Sequence, residues 1–171
     1  MARTFHFRNK ETWIQLYKMY VRPHLEFAVP SWNPWTSRDK EMLEKVQMKA
    51  LKMCTELKGK TYREKLQETD MFTLETRRLQ FDLIQVWKIL HGHDRVDERI
   101  WFKRAQENAN RTTRITSSKM NLKKQKANLE IRRNIFSIQI TDEWNRLPEE
   151  KKEYLSFKRK LEQNLKQRIK V

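Results

Sequence analysis

The chain has one cysteine, two glycines, four prolines and no long apolar run among its 171 residues. A lone thiol, Cys54, rules out an internal disulfide and any cysteine-rich zinc site, and it fits a reducing compartment and a place in the core. So few glycines and prolines leave little material for the tight hairpin turns of an all-β fold, which argues for helices. No stretch approaches the roughly 20 apolar residues of a transmembrane helix, and the N-terminal MARTFHFRNK has no apolar core of a secretion signal. The expectation is a protein of the nucleus or cytoplasm with no membrane partner. Also missing is any Asp-Asp pair.

Charge is what the chain has in excess, with 38 Lys/Arg against 22 Asp/Glu and a net charge of +16. Its mean hydropathy is −0.97, so the core must rest on six Trp and eight Phe, which bury the most surface per residue. The excess is unevenly placed. Residues 1–102 carry 19 cations against 14 acids, residues 103–133 carry 10 against 2, and residues 151–171 carry 8 against 2. A surface built only for solubility would spread its charge, whereas a polyanion-binding surface concentrates it.

Periodicity predicts helices over most of the length. Trp13, Leu16, Tyr17 and Tyr20 share a helical face from Lys10 to Tyr20, and Pro23 ends or kinks that helix. Pro30 and Pro34 frame a turn, with Trp32 and Trp35 lying on the core. Thr36 or Ser37 caps a helix whose stripe is Leu43, Val46, Ala50, Met53 and Leu57, with Gly59 past its end. Thr61 and Glu64 form a capping box. A long helix from about Thr73 to His91 turns Leu79, Leu83, Val86 and Leu90 inward and stops at Gly92. From Lys103 to Asn128 aromatics vanish and Lys119–Lys123 alternates like a strand, predicting a loop or a short β excursion. A helix from Glu130 to Leu147 places Phe136, Ile140, Trp144 and Leu147 on one face. Ser156 caps a last helix carrying Phe157, Leu161 and Leu165.

Several clusters invite a chemical reading. His91-Gly92-His93-Asp94 offers imidazole and carboxylate ligands, yet His-x-His at a helix end reads more simply as a C-cap, and no metal or cofactor is expected. Asp142 and Glu143 are adjacent and point in different helical directions, so salt bridges to Arg132, Arg133 or Arg146 explain them better than acid–base catalysis. Trp32 and Trp35 suit core or core-rim packing before base stacking. The basic segment is the strongest candidate. Arg111, Arg114, Lys119, Lys123, Lys124, Lys126, Arg132 and Arg133 are cations on a span of low hydrophobicity, interleaved with Thr and Ser hydroxyls that also donate to phosphates.

The ordered motifs LYKMYVRPHLEFAVPSW from Leu16, LETRRLQFDLIQVWKILHG from Leu74, RTTRITSSKMNL from Arg111, IRRNIFSIQITDEWNRLP from Ile131 and SFKRKLEQNL from Ser156 carry a resemblance. Together they resemble the region beyond the polymerase palm in reverse transcriptases of LINE-type (non-LTR) retrotransposons, of the jockey and chicken-repeat groups. The resemblance spans about residues 13–165. It implies the thumb and C-terminal part of an RNA-directed DNA polymerase. The palm of that family holds two metal ions about 4 Å apart on aspartates. With no Asp-Asp motif here, the resemblance implies a non-catalytic piece, either a fragmentary reading frame or an excised domain. Phe81 and Ile115 stand where many relatives have glycine.

The reading is a mainly α multi-helix domain with a basic irregular or short β insert. A thumb-like helical region covers 1–102, the basic insert 103–130, and a C-terminal helical region packing on the first covers 131–171. Expected partners are RNA and/or DNA, with a polymerase palm or a second copy as further partners. The alternative is a helical interaction module that binds a protein or self-associates.

Overall fold

Pro23 sits inside a helical run instead of ending it. In the computed structural model, which describes residues 9–105, 120–147, 157–159, 161–163 and 165, α1 (Lys10–Leu16) leads into a π turn (Tyr17–Val21) and then α2 (Arg22–Glu26). The Arg22 N–H bonds the Tyr17 carbonyl across the widened turn. A proline ring clashes with the carbonyl four residues earlier in a regular helix, and the wider turn relieves that clash. The wider turn also changes which side faces inward. Trp13, Ile14 and Tyr17 are buried, whereas Tyr20, expected inside, is 53% exposed. Beyond it, Ala28 takes a left-handed φ of 50° and redirects the chain into α3 (Val29–Trp32).

Thr36 caps α4 (Ser37–Lys52), its hydroxyl accepting the Asp39 N–H at 3.2 Å. The inward face of α4 differs from the apolar stripe. Gln47 and Leu51 are fully buried, while Val46 and Met53 lie outward. The helix also stops at Lys52, and Leu57 and Gly59 belong to a separate 3-10 turn (Thr55–Leu57) and its exit. The physical reason is a polar hub. Gln47 Oε1 accepts the Tyr17 hydroxyl at 3.0 Å, and its Nε2 reaches the Tyr62 hydroxyl and the Phe72 carbonyl, each at 3.0 Å. Tyr62 also donates to Glu44, whose other oxygen accepts the Leu74 N–H at 2.9 Å and so caps the next long helix. A buried amide costs little when every arm is bonded, and the hub pulls α4 round accordingly. Burial pushes both the Tyr17 and Tyr62 hydroxyls well above the ordinary tyrosine range, helped by Glu26 at Tyr17 and by the Glu44 hydrogen bond at Tyr62.

The Thr61–Glu64 capping box starts α5 (Tyr62–Glu68) as expected. The Thr61 backbone N–H and hydroxyl both donate to Glu64 and hold its carboxyl below the usual range. Next comes α6 (Leu74–Leu90), stopped at Gly92 with φ +67°. Leu83, Val86 and Leu90 point inward as predicted and Leu79 is only half-buried, but Ile84, Trp87 and Ile89 are buried too, so the second half of α6 is covered on nearly every side.

Two compact units divide within α6, Met1–Arg78 and Leu79–Val171. The charge boundary near residue 102 is thus a different division from the packing boundary. The first unit closes over Trp13, Ile14, Tyr17, Leu51, Cys54, Leu57, Leu66 and Met71. The second has α7 (Glu98–Trp101), α8 (Glu130–Arg133) and α9 (Phe136–Asn145), with helical residues between 157 and 165. Its core stacks Trp87 on Phe157 at 5.9 Å, with Trp144 tilted against the same ring. The single helix expected from Glu130 to Leu147 is broken at Asn134–Ile135, where Ile135 is extended. Ile140, Trp144 and Leu147 are buried and Phe136 meets Phe102 edge-on at 6.0 Å. Phe157, Leu161 and Leu165 are buried as their spacing predicts, while Ser156 lies outside the described residues. Among the described residues there is no β-strand, only an isolated bridge, so the chain is mainly α-helical.

Candidate nucleic-acid interface

The basic segment is anchored by backbone hydrogen bonds on both sides of Leu122. Arg104 and Leu122 form an antiparallel bridge, closed by the Ala105 N–H to the Asn121 carbonyl at 3.0 Å and the Lys123 N–H to the Lys103 carbonyl at 2.7 Å. In this type of pair the N–H and C=O of Leu122 face away from Arg104. Both find the Asn145 side chain on α9, which accepts the N–H at 2.9 Å and donates to the carbonyl at 2.9 Å. The Trp144 indole adds a bond to the Met120 carbonyl at 2.8 Å. Arg104 spans Glu98 with two nitrogens, the shorter contact being 2.8 Å, and reaches the Leu90 carbonyl. An alternating segment with too few residues for a sheet is therefore held as an extended ribbon by one helix's amide.

This register sets Lys103 directly opposite Lys123, both exposed and on one face of the ribbon. Like charges directly opposite one another are destabilising in a β pair, so local stability does not select them. Sequence spacing alone could not name Lys103, because only the pairing brings it to Lys123.

The eight candidate cations fall into three groups. Arg111, Arg114 and Lys119 lie outside the described residues. Lys124 is paired with Asp142 of α9, and Arg133 donates from Nε to the Ala127 carbonyl at 2.9 Å and from a terminal nitrogen to the Asn128 carbonyl. Those two shape the loop from residue 124 to α8. Lys123, Lys126 and Arg132 are exposed and have no ion-pair partner among the described residues. Beside them Leu129 and Ile131 are 71% and 72% exposed, so apolar side chains stand between the cations.

The remaining candidate clusters resolve into packing. His91 and His93 stack on Trp87 at 4.2 and 4.9 Å, and His91 Nδ1 lies 2.9 Å from the Trp87 carbonyl. Among the described residues no group of three or more His, Cys, Asp or Glu is placed to hold a metal. Glu143 pairs with Arg146 at 2.6 Å, one of the partners expected for it, whereas Asp142 takes Lys124. Trp32 and Trp35 lie at the rim and not in the core, at 39% and 47% exposed, with the Trp32 indole donating to the Phe27 carbonyl. No helix among the described residues is long and apolar enough to cross a membrane. Comparison with protein-family models, with curated proteins and with solved structures finds no match to this chain.

Proposed function

We propose that this chain is a non-catalytic, nucleic-acid-binding C-terminal fragment of a LINE-type reverse transcriptase without the palm. Its role is grip: positioning a phosphate backbone while any bond-making chemistry lies elsewhere. The observation that carries the reading is the ribbon that pairs residues 103–105 with 121–123 and its continuation to Arg132, where Lys103, Lys123, Lys126 and Arg132 are exposed and without an ion pair among the described residues. A cross-strand pair of lysines gains from a polyanion laid along it, which removes the repulsion it otherwise bears. The five ordered motifs supply the family part of the reading.

The test is a titration of the purified chain against single-stranded RNA and duplex DNA at several salt concentrations. If about six phosphates are neutralised, the log–log salt slope is about −4 on single strands and about −5 on duplex. Changing Lys123, Lys124 and Lys126 together to Ala should weaken binding and flatten the slope by about two units, since Lys124 is already partly neutralised by Asp142. Unchanged affinity and slope would remove this cluster from the interface.

A further inference from the structure

Within the first unit, α1, the π turn and α4 enclose an apolar groove of about 220 Å³ lined by Trp13, Leu16, Tyr17, Val21, Val46, Lys49, Ala50 and Met53. It is larger than the roughly 150 Å³ cavity that admits a benzene ring, so it has room for a large apolar side chain. The groove has a buried floor in Trp13 and Tyr17 and an outward wall in Val46 and Met53. The π turn turns Tyr17 and Val21 toward α4, and the Gln47 hub rotates Val46 and Met53 to the outer face.

One border of the groove is cationic. On a helical projection of α4, Lys45, Lys49 and Lys52 form a ridge beside the Val46–Ala50–Met53 stripe. All three are exposed, and among the described residues none forms a salt bridge. An apolar trough with a positive rim complements an amphipathic helix whose apolar anchors are flanked by carboxylates. A second copy fits poorly, because each copy carries +16. We infer that this groove docks an acidic amphipathic helix of another protein, the apolar anchors seated between Trp13 and Met53 and the Asp/Glu edge on Lys45, Lys49 and Lys52. The groove belongs to the first unit and the ribbon to the second, and the inference stands without the nucleic-acid reading.

The probe is a fluorescent peptide of about five helical turns (~18 residues) with Leu and Trp at i, i+3, i+4 and i+7 spacing and Glu on one flank, beside a twin with Lys for each Glu. The full-length chain should bind the acidic peptide and not the basic twin. Val46→Glu and Met53→Glu should each weaken it about tenfold or more, with circular dichroism melts showing the fold retained. Lys45→Glu with Lys49→Glu should reverse the choice of peptide, an outcome that a merely structural defect does not produce. Equal binding of the two peptides, or affinity unmoved by both apolar substitutions, overturns the inference. So does concentration-dependent self-association in sedimentation that Val46→Glu abolishes, which assigns the groove to a second copy. So too does a loss of RNA binding in the Lys45/Lys49 variant without any peptide binding by the parent chain. The Lys123/Lys124/Lys126 variant should bind the peptide normally, so failure of either proposal is read separately.

Discussion

At the scale of single residues, Gln47 joins three groups distant in sequence within the first unit. Its amide meets Tyr17, Tyr62 and Phe72 with no solvent contact. Gln47→Ala takes the hydrogen bond from the buried Tyr17 hydroxyl and the amide from Tyr62 and Phe72, and opens a cavity, so it should cost roughly 2–4 kcal/mol in urea unfolding. The two tyrosines also give an alkaline signature. Their folded pKa values are raised above the unfolded value of about 10. Their contribution is therefore fully present below about pH 10 and is lost as pH rises toward the folded values. Stability should fall above about pH 10, and Tyr62→Phe should make that fall shallower. Ala28 is the opposite case, a side chain in the left-handed region on an exposed position. Ala28→Gly should relieve about 1 kcal/mol of backbone strain, seen as a higher urea midpoint.

At the scale of elements, caps behave as local codes and faces do not. Thr36 and Thr61 stand where their neighbours require a cap, and each bonds the N–H three residues on. Thr36→Ala should cost about 1 kcal/mol. The helical faces obey distant partners instead. Tyr20, Val46 and Met53 obey the apolar period and still lie outward, because the π turn and the Gln47 hub intervene. The extended ribbon is an element made almost wholly by others. Asn145→Ala leaves both backbone groups of Leu122 without their partner. It should speed amide hydrogen exchange at Leu122 and weaken RNA binding while leaving α9 helical, and unchanged exchange would remove Asn145 from that role.

At the scale of the whole molecule, a charge of +16 acts in two directions. Self-repulsion destabilises a compact chain, so moderate salt should raise its melting temperature. Under the proposed function the same salt should weaken binding to RNA or DNA, because counterion release would supply that binding. Thermal melts and binding titrations across one salt series should therefore run in opposite directions, and parallel trends would contradict a phosphate-driven interface.

What the sequence by itself determined was the helical class, the caps at Thr36 and Thr61, the stop at Gly92, the burial of Phe157, Leu161 and Leu165, and the position of the cationic excess. Each is set by residues within a turn or two of one another, so the chain spells it out locally. Only the tertiary structure decided that Gln47 lies inside and Met53 outside, that Lys103 faces Lys123, that Asn145 completes the bonding of Leu122, and that Lys124 and Arg133 are engaged while Lys126 and Arg132 stand clear. Apart from Arg133, which bonds carbonyls five and six positions back, those outcomes depend on partners some 18 to 30 positions away or on the wider π turn before Pro23, and a backbone donor or acceptor takes whichever partner the fold brings within reach.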